Sequence, residues 1–372
     1  MHPTSFDTIL FAHDRPAEIP RGRLQVIHPQ PSGGAIVAML DKVAEASLIW
    51  RWGSNPLQMQ RYDPPQPGRM IRLTPMPNGH LLSATGRCGE GYAEVRLWSD
   101  PQEGTMSIAR VPGRLLWAPH DPTATMLVVD REGGIVQTSF VEGQPTQRWD
   151  TRLFESKRWD PFVPRPVASA DGRRVFMVRE GQTIAVLAVD DATPKTLVTV
   201  DDELTRLMLH PDGVRLVTAS FDDNVRVWDA RSGELLATLA GGDRTVVADA
   251  LRLSPDGSML FVGYDDTTYG IWDMKQYQRR ATLPMPNNDT EVHGETRLVR
   301  FHCDGIHVMA SHQNHVLHVW NAVHGTHVAT WQGTDPITTC QSDDKGRVWV
   351  GDIEARVTVL AGTSDPTGIQ AL

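Results

Sequence analysis

Leu209-His210-Pro211-Asp212-Gly213 recurs as Leu253-Ser254-Pro255-Asp256-Gly257, and more loosely as Phe301-His302-Cys303-Asp304-Gly305. Each of these turns leads into a short apolar strand, a polar turn and an alternating strand that ends in tryptophan. The endings read Val225-Arg226-Val227-Trp228-Asp229, Tyr269-Gly270-Ile271-Trp272-Asp273 and Leu317-His318-Val319-Trp320-Asn321. Asp-Gly between apolar strands marks a tight turn. Working outward, Trp50-Arg51-Trp52 and Val95-Arg96-Leu97-Trp98 keep the same ending, and Phe140, Val189 and Leu360 fill the tryptophan place elsewhere. From Trp52 to Leu360 the position returns every 44 residues or so (about 44 on average), the length of one four-stranded repeat unit.

These units resemble the repeats of the WD-repeat family, named for the Trp-Asp that closes the third strand. The match is strongest over residues 203–333 and stays in phase over nearly the whole chain. The resemblance implies an all-β fold: a single closed β-propeller over 1–372, of about eight four-stranded blades, with seven as the alternative. It also implies how the ring closes. Residues 336–361 supply only three strands, and the apolar stretch at 5–12, Phe6-Asp7-Thr8-Ile9-Leu10-Phe11-Ala12 within it, is expected to complete that last blade. A blade cannot bury both faces by itself, so blades stack, and a bulky residue at each third-strand end fills the gap between neighbours. That accounts for 11 Trp against 5 Tyr.

The chain departs from the family in one respect. Many WD repeats place a Gly-His pair before the first strand, where the His joins an Asp, a Ser or Thr and the Trp in a buried network. Here the corresponding loop reads Ala240-Gly241-Gly242-Asp243-Arg244. The turn Asp survives as Asp222 and Asp266, with Asn314 in the third copy.

Composition limits the function classes. With 40% hydrophobic and 22% charged residues the chain suits a globular protein, and a net charge of -9 makes its whole surface a poor trap for nucleic acid or anionic lipid. Cys88, Cys303 and Cys340 are far apart and form neither a disulfide framework nor a four-cysteine zinc site. The N-terminus lacks the charged and apolar regions of a signal peptide, and no apolar run is long enough to span a bilayer. A cytoplasmic protein without membrane attachment is expected. Nucleophile-elbow, Walker, His-Glu-x-x-His and dinucleotide motifs are absent, so no catalytic residue and no cofactor is assigned.

Three features are candidates for binding. Arg23, Arg69, Arg114, Arg165, Arg206 and Arg297 recur near the start of the first strand in six units. In propellers these strands line the channel, so the resemblance implies an arginine-bearing rim suited to carboxylates or phosphates. Counted from the turns, Arg23, Arg69 and Arg297 share one register and Arg114, Arg165 and Arg206 the other, so half face the channel together and the rest pair with neighbouring acids. Eight of the 14 histidines fall between His293 and His327, and His307 and His318 are the candidate start of a metal site, placed diagonally on one face. The Gly-rich stretch 86–91 is a candidate partner loop, and the acidic pairs such as Asp222-Asp223 have a sufficient local role in turns. The expected function is a non-catalytic scaffold that holds a protein or peptide partner, with a nucleic-acid-associated subunit and a propeller enzyme or metal-binding protein as alternatives.

Overall fold

A computed structural model of the chain describes residues 8–13, 23–30, 34–41, 44–52, 59–76, 79–86, 93–99, 107–118, 125–130, 132–139, 145–149, 151, 164–191, 193–240, 245–265, 268–284, 298–311 and 315–361. Every regular element among them is a β-strand, and no helix is long and apolar enough to cross a membrane. The strands form eight four-stranded antiparallel sheets, which sets the blade number at eight rather than seven. Blades 1 to 7 span 23–67, 69–112, 114–149, 167–199, 204–240, 246–283 and 298–332, with strands adjacent in chain order. Blade 8 takes three strands from 337–361 and its fourth from Thr8–His13, which pairs antiparallel with Val357–Ala361. The N-terminal strand therefore completes the last blade as expected; residues 5–7 of the expected strand lie outside the described residues.

By Cα packing the chain groups into two compact units, 1–73 with 249–372, and 74–248. Their boundaries fall inside the first strands of blades 2 and 6, not in linkers.

Within each unit the core lies between blades. Side chains on a strand alternate sides, and in the second strand of a blade each side meets a different neighbour. In blade 4, Val175 and Met177 pack with Leu127, Val129 and Trp149 of blade 3. Phe176 and Val178 on the other side pack with Leu204, Leu207, Leu216 and Trp228 of blade 5. Blade 3 repeats the pattern, turning Met126 and Val128 to Leu82 and Val95 of blade 2. In the other unit Trp349 of blade 8 meets Val37 and Trp50 of blade 1, while Val348 and Val350 meet Met309 and Leu317 of blade 7. Burial on both faces is why these strands read as unbroken apolar runs. Each fully buried Val, Leu or Phe contributes about 1.5–3 kcal/mol by area. The fourth strands are the opposite: Lys195–Thr199 and Gln278–Leu283 are largely exposed.

Trp98, Trp228, Trp272 and Trp320 are buried as expected, and the indole N–H groups of three of them show how. Trp228 Nε1 donates to Thr218 Oγ1 at 2.9 Å and Trp98 Nε1 to Ser83 Oγ at 2.7 Å. In both cases the acceptor lies two residues past the Trp's cross-strand partner, Leu216 or Leu81. Val262 holds that place in blade 6, opposite Gly270, and the buried Trp272 indole N–H has no hydrogen-bond partner. In blade 4 the equivalent of Trp228 is Leu187, which pairs with Val175 as Trp228 pairs with Leu216. Val189, expected there, instead donates its N–H to Arg173 O, the place Ala230 takes in blade 5 through Val214 O. Phe140 lies outside the described residues.

Deleting residues 1–13 removes the fourth strand of blade 8 and leaves Val357–Ala361 as an unpaired edge. Thermal unfolding followed by circular dichroism is expected to show a midpoint lower by about 5 °C or more; an unchanged midpoint would contradict the shared blade.

Candidate functional site

The first strands place the arginine series, and they do so through a bulge. Pairing slips by one residue at Gln25 in blade 1, at Leu116 in blade 3 and at Thr205 in blade 5. The residue just before each bulge is apolar: Leu24, Leu115 and Leu204. Arg23 and Arg114 precede that apolar residue, and Arg69 precedes the buried Met70 in the same way. Arg114 thus shares the register of Arg23 and Arg69, contrary to the count from the turns. Arg206 lies beyond its bulge, two residues after Leu204, and belongs to a different row. One inserted residue flips the facing of everything before it. Arg165 is exposed and precedes a first strand of only two residues, Val167–Ala168. Arg297 lies outside the described residues, as do 87–91 of the Gly-rich stretch.

Arg165 lies close enough to Arg114 to act on its charge. The first strand of blade 3 packs on that of blade 4. Burial, with the nearby Arg165 guanidinium adding to it, lowers Arg114 to about 10. Both effects disfavour positive charge, and a shared anion relieves both.

The opposite end of the first strands carries the Asp-Gly turns. Asp212 Oδ1 accepts the Val214 N–H at 2.9 Å, and Asp256 Oδ1 the Ser258 N–H at 3.0 Å, so each carboxylate caps its own turn. A concavity beside the blade 4 turn is lined by Trp117, Met126, Asp171, Gly172, Arg173 and Asp190. Trp117 Nε1 donates to Ala170 O at 3.0 Å, and a Cβ on Gly172 would come within 2.7 Å of the Trp117 ring.

In blade 5 the turn Asp222 has a partner the family network does not use. Its carboxylate pairs with Arg226, whose Nη1 also donates to Ser220 Oγ at 2.9 Å. Burial raises Asp222, but the bonds from Arg226, Ser220 and Asn224 outweigh it and hold the carboxyl well below the usual range. The arginine stands in for the missing histidine. Asp266 and Asn314 lie outside the described residues.

The structure separates His307 from His318. His307 pairs with Asn321 and His318 with Ala310, so their side chains leave opposite faces of the blade. His318 is buried against Trp320 and His327, with Nδ1 3.0 Å from Thr330 Oγ1. His307 instead meets the carboxylate of Asp304, Nδ1 to Oδ2 2.6 Å, and His302 Nδ1 lies 3.0 Å from the same oxygen. Burial lowers His302, yet Asp304, Gly346 O and Asp343 together raise it. Histidine and aspartate in a Phe-His-Cys-Asp-Gly turn, followed by His307, are the signal in the sequence for this cluster.

Residues 195–229 and 233–273 match the family described as WD domain, G-beta repeat. The C-terminal WD40 domain of Sif2 shares the fold, with a TM-score of 0.67 and 14% identity over 92% of this chain and 97% of that one. The computationally designed Ika8 protein is similar at a TM-score of 0.65 and 17% identity, again over 92% and 97%. The chain is a β-propeller that contains WD repeats. No curated protein sequence matches it. Each matched stretch takes the fourth strand of one blade and three strands of the next, ending at Asp229 of blade 5 and Asp273 of blade 6, and WD-repeat propellers are commonly interaction scaffolds and typically not catalysts. Their fold hosts many functions, so the site must carry the rest.

Asp222 and Asp343 both have lowered carboxyls in this propeller, burial being outweighed in Asp343 by Trp349 and Arg347. A lowered folded value means stability that is present above the unfolded value of about 3.9 and lost as pH falls through the folded one. Asp222→Asn is expected to cost about 1 kcal/mol in urea unfolding at pH 7, with the gap to wild type closing toward pH 2. A gap that stays constant with pH would contradict the ion pair's role.

Proposed function

We propose that this WD-repeat propeller is a non-catalytic scaffold that holds a protein or peptide partner through the arginine-bearing starts of its first strands, taking an acidic or phosphorylated segment. The observation that supports this reading is the Arg114 and Arg165 pair. Two guanidiniums close enough for one to act on the other, one of them half-buried, form a site whose electrostatics improve when an anion binds. Arg165 is exposed, so the approach from solvent is open at that residue. Guanidinium forks match carboxylate and phosphate oxygens two at a time, which favours an extended acidic segment over a single small ion. A net charge of -9 sets this basic site against an acidic surface, so it selects a local acidic motif and disfavours polyanions such as nucleic acid.

Fluorescence anisotropy with a labelled acidic peptide, a phosphoserine version and a single-stranded oligonucleotide tests the reading at low and physiological salt. Binding of either peptide, weakened at least tenfold by Arg114→Ala with Arg165→Ala and unchanged by Arg231→Ala in an exposed turn of blade 5, is the expected result; each charged hydrogen bond contributes about 1.5–3 kcal/mol. Peptide binding indifferent to the double substitution, or binding of the oligonucleotide alone, would overturn it.

A further inference from the structure

The first turn of blade 7 holds a set of donors that the scaffold reading does not use. His302, Asp304 and His307 bring one ligand atom each to within 4.8 Å of the others. Two edges of that triangle are short, His302 Nδ1 to Asp304 Oδ2 at 3.0 Å and His307 Nδ1 to the same oxygen at 2.6 Å. A tetrahedral ion with bonds of about 2.0–2.1 Å sets its donors about 3.3 Å apart, so small side-chain rotations convert one arrangement into the other. His307 and Asp304 are both partly exposed and free to make them.

The surroundings are those of a ligand set. His302 Nε2 lies 3.1 Å from Gly346 O in the turn of blade 8, and as donor to that carbonyl it leaves the Nδ1 lone pair directed at the Asp304 carboxylate. A backbone carbonyl on the far nitrogen is the partner that orients metal-bound histidines. Apart from contacts to the Asp304 N–H at 3.4 Å and Cys303 Sγ at 3.8 Å, Nδ1 of the neutral ring faces oxygen, and a cation between the two atoms removes that repulsion. Asp304 Oδ1 is committed to the Ile306 and His307 N–H groups at 2.8 and 3.0 Å, which holds Oδ2 toward the two rings.

The chain supplies its own control. In blade 5 the same turn has His210, Asp212 and Arg215, where Arg215 Nε binds Asp212 Oδ2 at 2.7 Å and His210 Nδ1 lies 3.0 Å from Asp212 Oδ1. Arg215 and His307 are equivalent: the carbonyl of each accepts the N–H of the turn residue His210 or His302. Blades 4 and 8 also have arginine there, Arg174 and Arg347. A permanent cation thus fills the place in three blades, and blade 7 replaces it with a metal ligand.

We propose that this turn binds one divalent transition ion of the zinc class through His302 Nδ1, Asp304 Oδ2 and His307 Nδ1, with water completing the coordination. Two imidazoles and a carboxylate select such an ion over calcium or magnesium. Cys303 Sγ is 3.8 Å from His302 Nδ1 but outside the set that is mutually within reach, so it is not a required ligand.

The test is calorimetric titration of zinc chloride into the tag-free, chelator-treated full chain. One equivalent is expected to bind, with affinity at least tenfold lower in Asp304→Asn and His307→Arg and unchanged in His324→Gln. His307→Arg copies the ion pair of blade 5, so its unfolding in chelator should match wild type; if it melts early, His307→Gln carries the comparison. No binding by wild type, or binding unchanged in the Asp304 and His307 variants, would overturn the site.

Discussion

A strand that is apolar on both sides has to be covered on both sides, and the second strand of each blade is such a strand. In blade 4, Val175 and Met177 need blade 3 while Phe176 and Val178 need blade 5. Neither set can be satisfied by the blade's own strands, which lie edge to edge in one sheet. The requirement passes from blade to blade within each unit, because the residues that cover one second strand include the second strand of the next. Charge and polarity are pushed outward to the fourth strands, and the functional groups collect at the strand ends, where turns and strand starts are not committed to packing.

Those two kinds of strand end have different chemistry. The starts of the first strands carry Arg23, Arg69 and Arg114, each followed by an apolar residue that packs inward: Leu24 and Met70 buried, Leu115 half-buried. The turns at the other end carry a carboxylate that first caps its own backbone and then has one oxygen left to share. What faces that second oxygen is the variable: Arg215 beside Asp212, and two histidines beside Asp304. One repeated backbone turn therefore presents an ion pair in one blade and a ligand cluster in another.

The architecture was legible because its signals are local and repeated. Asp-Gly turns and terminal tryptophans need only a few residues to be recognised, and Trp98, Trp228 and Trp320 occupy the interblade positions expected of them. The apolar N-terminal stretch was legible from what blade 8 lacked. The register of the arginines was not, because the bulges at Gln25, Leu116 and Thr205 add a residue that no composition signal marks. The slip from Val189 to Leu187 has a similar origin: without a tryptophan, only cross-strand pairing with Val175 identifies the position. The faces of His307 and His318 depend on whether the connection between their strands has an even or odd number of residues, which the sequence does not mark; pairing of Ser311 with Leu317 and His307 with Asn321 puts them on opposite faces.

If interblade burial of the second strands governs the fold, stability should be graded across every blade. Native-state hydrogen exchange measures this directly, amide by amide. The amides of Arg174–Arg179, Arg215–Ser220 and Met259–Tyr264 should exchange only through the largest opening, at the free energy of global unfolding. Those of Lys195–Thr199 and Gln278–Leu283 should exchange through smaller local openings. Second-strand amides that exchange as readily as the fourth-strand ones would contradict the account.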